Sequence, residues 1–301
     1  MEVIISRFNG KKRYTSKFNL ALKPDLTVSE VLMLIKNSHD GSLSFRAGCR
    51  NGVCGICAVK VNNKSVLGCK TKVKDIVVDD KILIEPLDMF PVIKDLVVDI
   101  DNFIENNIDI RSAIVSSSTH KTSQEDMRHL DTVSNCIQCG ICFSSCDVLN
   151  VNQSFIGPAA LLRAYRCVTD KRDGLKNQRL KHYNKENYAW DCTHCENCTT
   201  LCPQGINVSE HISSLRKELI EQGLKSKGSS HHLAFLKSIN KHGLLNEASY
   251  PFFSINFNPL RLKEVLPVGL RMLRKRKSPG IFHKPIKNIE EVRKLFREVK
   301  E

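Results

Sequence analysis

DCTHCENCTTLCPQ, residues 191–204, sets Cys192, Cys195, Cys198 and Cys202 in the order C-x2-C-x2-C-x3-C and closes on Pro203. The same spacing occurs once before, at Cys136, Cys139, Cys142 and Cys146 in NCIQCGICFSSCD. Two residues between thiols let a tight loop curl around one face of a metal–sulfur cube. The longer step turns the last sulfur away, so three thiolates of a run grip one cubane and the fourth reaches across to another. Two copies in one chain point to a pair of iron–sulfur clusters, with zinc the competing metal.

A second cysteine pattern lies upstream, in SFRAGCRNGVCGICAVKVNNKSVLGC. Cys49, Cys54 and Cys57 stand as C-x4-C-x2-C, and Cys69 follows after eleven residues. This is the plant-type 2Fe–2S spacing. Gly48, Gly52 and Gly55 alternate with the ligands, as a loop that turns sharply and brings backbone N–H groups to sulfur requires. Arg46 and Arg50 flank it and would raise the cluster's potential if they faced it; solvation is the plainer role for both.

The chain has 301 residues, 41% of them apolar, enough for two or three modest domains. Its thirteen Cys fall into groups of four, four, one and four, which argues for metal ligation in a reducing compartment over a disulfide framework. The single one, Cys167, reads as a small core residue. His182, His194 and His231–His232 read as polar residues before ligands or proton carriers. No apolar run approaches the ~18 residues of a membrane span, and MEVIISRFNGKKR does not read as a signal peptide. A cytoplasmic protein is expected. Net charge is +14, and residues 231–301 hold fifteen Lys or Arg against six Asp or Glu. No nucleic-acid module accompanies that excess, which fits anionic lipid, an acidic partner or a solvated surface.

Periodicity places a half-buried strand at Lys17–Leu22 and a helix at Val28–His39 capped by Thr27. Short strands follow around Cys57–Val61, Ser65–Cys69 and Ile82–Ile84, with a turn at Asn62–Asn63. Phe90–Ile100 leads out of this domain, and the polar stretch Ser116–Glu125 reads as a mobile connection. Helices are expected at Glu125–Ser134, at Gly157–Thr169 with Pro158 in its first turn, and at Asn207–Gly223 with Asn207 and Glu210 at its start. Pro267 should interrupt any helix over Arg261–Lys277, a mixed apolar and basic stretch that reads as a docking surface.

These motifs in this order resemble the iron–sulfur subunits of succinate dehydrogenases and fumarate reductases. The likeness covers residues 1–225, through GCRNGVCGICAVKVN, FPVIKDLVVD, GPAALLRAYR and WDCTHCENCTTLCPQGINV. It implies an α+β chain: an N-terminal β-grasp 2Fe–2S ferredoxin-like domain (1–105), an all-helical bi-cluster ferredoxin domain (106–229) and a basic C-terminal extension for partner docking (230–301). It implies Cys49, Cys54, Cys57 and Cys69 on 2Fe–2S, and Cys136, Cys139, Cys142 and Cys202 on 4Fe–4S. Cys146, Cys192 and Cys198 fall to the last centre, 3Fe–4S in common members because one ligand position is apolar. Here that position is Cys195, so a second 4Fe–4S cluster is expected. No residue is read as catalytic. Succinate–fumarate chemistry and FAD are expected on a flavoprotein partner, with electrons passing to a membrane-anchor or Cys-rich quinone-reactive subunit. The chain would then lie peripherally on the cytoplasmic membrane, as part of a respiratory complex, without binding nucleic acid. Common members carry a Pro and a Trp pair after the Cys matching Cys146, and a His after that matching Cys192. This chain has Asp147-Val148-Leu149-Asn150 and Thr193, a departure at the usual quinone site. Its C-terminal part is similar to heterodisulfide reductase small subunits, so a heterodisulfide-type or hydroxyacid-oxidising complex is the alternative.

Overall fold

The computed structural model describes residues 1–116, 121–255, 258–277, 280 and 284–298. It divides into two compact units, 1–218 and 219–301. The first opens with a mixed five-stranded sheet made of β1 (Glu2–Phe8), β2 (Arg13–Asn19), β3 (Ala58–Val61), β4 (Lys64–Leu67) and β5 (Lys81–Glu85). Strand order is β2-β1-β5-β3-β4, with β1 parallel to β5 and every other pair antiparallel. Helix α1 (Val28–Ser38) packs Val28, Val31, Leu32 and Ile35 against Val3, Ile5, Val59, Val61, Ile82 and Ile84. This is the expected β-grasp, but its inner strand β1 escaped the sequence reading although Val3 and Ile5 alternate as a strand should.

Local chemistry sets the boundaries. Thr27 and Glu30 form a capping box at the start of α1. Asn62 and Asn63 both take left-handed φ, 45° and 65°, as a two-residue hairpin turn demands. Strand β2 spans Arg13–Asn19, so the expected Lys17–Leu22 run begins earlier and ends sooner; Leu20 leaves the strand yet stays buried. The exit segment folds as a hairpin, β6 (Val92–Lys94) and β7 (Val97–Val98).

Arg7 continues the inward row after Val3 and Ile5, where a third apolar residue would be ordinary. It is 2% exposed, and its guanidinium donates to Asp95 Oδ1 (2.8 Å), Asp40 Oδ2 (2.6 Å) and Ser42 Oγ (3.0 Å). Asp95 in turn accepts the Ser44 and Phe8 N–H groups. One buried ion pair thus joins β1, the loop after α1 and the exit hairpin.

The rest of the first unit is helical. It runs through α2 (Asp101–Asp109), α3 (Gln124–Ser134), α4 (Ile141–Ser144), α5 (Asp147–Val151), α6 (Pro158–Thr169), α7 (Lys176–Tyr183), α8 (Asn197–Thr200) and most of α9 (Val208–Glu221), whose last three residues belong to the second unit. Of the polar stretch Ser116–Glu125, residues 117–120 lie outside the described residues; Ser116 bridges to Asp173, and a Ser123–Asp126 capping box starts α3. Pro158 stands at the start of α6, and Val208, Ile212, Leu215 and Leu219 are the buried stripe of α9. In the second unit α10 (Lys227–His242) packs on α11 (Tyr250–Ser254) and α13 (Ile289–Glu298). There α12 (Pro259–Arg274) runs straight through Pro267, against expectation. Proline removes one ladder hydrogen bond, and the carbonyl it orphans, on Lys263, lies on an exposed turn where water can serve it. Among the described residues no helix is long and apolar enough to cross a membrane.

Replacing Arg7 by Met should cost about 3–5 kcal/mol, because Asp95 is left charged, buried and unpaired; denaturant unfolding of the purified protein reads this directly. Asp40, whose carboxyl is held down to about 2 by Ser42 and Arg7, contributes stability that is complete above the ordinary range near 3.8 and fades as pH falls towards 2. An Asp40→Asn protein should lose that acid-limb dependence.

Candidate metal centres

Three loops carry eleven of the twelve grouped thiols, and the twelfth, Cys69, follows β4. The first lies between α1 and β3. There Cys49 Sγ accepts the backbone N–H groups of Asn51, Val53 and Cys54 at 3.4, 3.4 and 3.3 Å, and these donors hold its thiol down to about 6. Cys54 Sγ accepts from Cys49 N–H at 3.4 Å, and Cys69 Sγ from Gly52 N–H at 3.3 Å. Cys57 sits at the base of the loop, where burial pushes its thiol up to about 11. A loop whose amide groups already converge on sulfur is built for thiolate charge. Arg46 is tied to the carbonyl of Val98 at 3.0 Å, while Arg50 is exposed.

The other two loops repeat one backbone. In Cys136–Cys142 the residues flanking the middle thiol, Gln138 and Gly140, take φ of 53° and 78°; in Cys192–Cys198 the matching pair, His194 and Glu196, take 56° and 65°. Left-handed turns on both sides of the second Cys curl all three thiols to one side, and each loop then enters a short helix, α4 or α8. Cys139 and Cys195 therefore occupy equivalent backbone positions.

The fourth thiols cross over. Cys136, Cys139, Cys142 and Cys202 together line one cavity, walled otherwise by residues such as Ala159, Leu162 and Ile206. Burial raises the thiols of Cys136, Cys139 and Cys142, Cys139 to about 11, and repulsion from neighbouring thiols adds to it. Cys146, Cys192, Cys195 and Cys198 form the other group: Cys146 feels Cys192 and Cys195, and Cys198, pushed up to about 12 by burial, feels all three. Thiols crowded this way need metal to neutralise their charge once deprotonated. Among the described residues no three His, Cys, Asp or Glu converge as ligands of a single ion. A cluster asks for a wider arrangement, since its ligand sulfurs stand around the faces of a cube. The donor sets fit iron–sulfur clusters.

The three groups adjoin in line. A Cβ at Gly55, whose φ is +73°, would stand 2.8 Å from Cys139 Cα, so the first loop touches the second at backbone distance. Gln204 Nε2 donates to Gly52 O at 3.0 Å and Lys70 Nζ to Pro203 O at 3.1 Å across the same seam. Cys142 and Cys198 are close enough to repel one another, which links the second group to the third. At the ends of the line Cys49 and Cys195 are exposed.

Cys167 is fully buried in α6, its Sγ 3.8 Å from Ser112 O, apart from the three groups. His182 lies against Asp109 and Tyr188, His231 against Tyr250 and Ser254, and His194 faces Ser213 at 3.5 Å. Asp147 accepts from Asn197 at 3.1 Å beside the third group. Sequence reasoning missed Gln204, Lys70 and Arg216. Only Arg216 left a signal, as a charge at the edge of the buried stripe of α9, four residues after Ile212.

Residues 2–105 match the family described as a 2Fe-2S iron-sulfur cluster binding domain, and 132–206 that described as a 4Fe-4S dicluster domain. The 8-methylmenaquinol:fumarate reductase iron-sulfur subunit of Wolinella succinogenes is 36% identical over 265 residues, 82% of this chain and 82% of that one. The fumarate reductase iron-sulfur subunit of Haemophilus influenzae is 31% identical over 76% of this chain and 98% of its own length. A chain of the Mycobacterium smegmatis Sdh1 complex in the apo form shares the fold, with a TM-score of 0.67 and 19% identity over 74% of this chain and 97% of that one.

Gly55→Ala should cost on the order of 2–4 kcal/mol through collision with Cys139 added to left-handed strain. Gly223→Ala, with φ +66° and nothing within 4 Å, carries the strain alone and should cost about 1–2 kcal/mol. Denaturation of both variants separates the terms; equal losses would show that the seam has slack.

Proposed function

The chain belongs to the iron–sulfur subunits of succinate dehydrogenases and fumarate reductases, and from that membership we propose that it relays electrons between a flavoprotein subunit, which holds FAD, and a membrane-associated acceptor subunit. The observation that carries this reading is the continuous line of thiol groups from exposed Cys49 to exposed Cys195, closed at Gly55–Cys139 and at Cys142–Cys198. The chain then works as residues 1–105, 106–229 and 230–301, one 2Fe–2S module, one two-cluster module and one docking extension.

Cys49, Cys54, Cys57 and Cys69 hold 2Fe–2S; Cys136, Cys139, Cys142 and Cys202 hold one 4Fe–4S cluster; and Cys146, Cys192, Cys195 and Cys198 hold a second. Bound there, such clusters take up and release one electron at a time. The residues around them supply position and electrostatics. Amide groups of Asn51, Val53 and Cys54 stabilise charge on Cys49, and apolar walls such as Leu162 and Ile206 keep water from the middle group. Val53 and Ile56, 65% and 45% exposed beside Cys54, offer an apolar rim for the flavoprotein. The equivalence of Cys195 to Cys139 in backbone supports a full four-thiolate third centre. Docking to the acceptor falls to the basic second unit, which keeps the complex peripheral on the cytoplasmic membrane. Asp147, Asn150 and Thr193 at the third group favour an acceptor other than the usual quinone pocket.

Purification of the native complex tests the reading: it should yield a flavin-bearing partner, succinate-dependent dye reduction and about ten irons per copy of this chain. A complex without flavin or succinate activity, yet with full iron, points to the heterodisulfide or hydroxyacid type. Cys195→Ala should introduce a 3Fe–4S signal in the EPR spectrum of the oxidised protein, a signal absent before substitution. Oxidised wild type carrying that signal at full stoichiometry rules out the second 4Fe–4S cluster.

A further inference from the structure

Among the described residues three arginines are buried, and they are not alike. Arg7 is paired with Asp95 and Arg179 with Asp173 (2.6 Å), each carboxylate as buried as its partner. Arg216 in α9, 8% exposed, has no carboxylate within ion-pair distance among the described residues. Its Nε donates to the Ala189 carbonyl at 2.8 Å and its Nη2 to the Cys192 carbonyl at 2.5 Å. Its Cζ lies 5.5 Å from the centre of the Trp190 ring. The charged groups it feels are the Cys192 thiol and, more weakly, Asp191, whose own carboxylate accepts from Asn152 at 3.2 Å.

A guanidinium stays protonated even where burial disfavours it, and an unpaired buried charge is among the most expensive features a fold can keep. Carbonyls and a ring face satisfy its donors without cancelling its charge. Asp191 offsets it only in part, and the neighbour of larger effect is the third thiol group, which stays net negative once four thiolates surround a cluster core. We propose that Arg216 is the fixed counter-cation of this third centre and sets its reduction potential. The inference rests on the ligand assignment under Proposed function.

Reduction of that centre adds one electron and therefore one negative charge; no bond forms or breaks, no proton moves, and Arg216 is cationic before and after. A fixed cation favours the reduced state, so Arg216 raises the potential of the third centre. The first two centres, whose thiols it does not contact, keep their own. The relay then has its electron-accepting end where Cys195 reaches the surface.

The test is an EPR-monitored redox titration of the assembled complex in wild type, Arg216→Gln and Arg216→Lys. Gln should lower the equilibrium constant for reducing the third centre at least tenfold, about 59 mV for a one-electron couple, and leave the other two unmoved. Lys keeps the charge but cannot fork to both carbonyls, so it should hold the third centre within threefold of wild type. A shift below tenfold in Gln, a common shift of all three centres, or a Lys variant that moves tenfold or loses the centre overturns the proposal, the last by reducing Arg216 to a clamp on two carbonyls. Should Gln fail to assemble the centre, Lys decides: a loaded centre at wild-type potential supports the charge, and a lost one refutes it. Wild type without a third centre overturns the ligand assignment itself, a result distinct from a third centre indifferent to Arg216.

Discussion

Each cysteine run of the helical half keeps three thiols and gives one away, and the rest of that half is arranged to let this exchange happen. Cys202 must return to Cys136, Cys139 and Cys142, and Cys146 must stand with Cys192, Cys195 and Cys198. The two runs therefore lie against each other, with α6 and α9 supplying the apolar wall behind them. Left-handed residues on either side of Cys139 and Cys195 give both loops the same curl. Non-glycine residues in such backbone are uncommon and mildly strained, so Gln138, His194 and Glu196 stay there because the surroundings over-determine them.

Two buried arginine–carboxylate pairs tie separate segments together. Arg7 gathers β1, the loop after α1 and the exit hairpin through Asp40, Ser42 and Asp95. Arg179 does the same further on, reaching Asp173 and the carbonyls of Ile110, Arg111 and Ala113, while Tyr183 donates to Ile110 O at 2.8 Å. Arg216 stands outside this pattern, and its difference singles it out.

What could be read from the residues was whatever spacing alone determines. Thiol intervals, the Thr27 and Asn207 helix starts, Pro158 at a first turn and the Asn62–Asn63 hairpin are short-range constraints, and each lies where the intervals put it. Long-range partners leave no such mark. Nothing near Arg7 announces Asp95, 88 residues on, and nothing near Gly55 announces Cys139. Strand β1 was lost for a different reason: a buried Arg in its inner row breaks the apolar alternation after two residues. Pro267 misled because the carbonyl it orphans, on Lys263, is exposed, so water can replace the lost ladder bond and the helix continues.

The crossing of Cys202 also orders events as the chain leaves the ribosome. The loop of Cys49, Cys54 and Cys57 needs nothing beyond Cys69 to be whole. The cavity of Cys136, Cys139 and Cys142 lacks one wall until translation has passed the second cysteine run. Until then three thiols stand open to any metal or oxidant that meets them. Dependence on a distant residue for closure makes the middle of the molecule the last part to become safe.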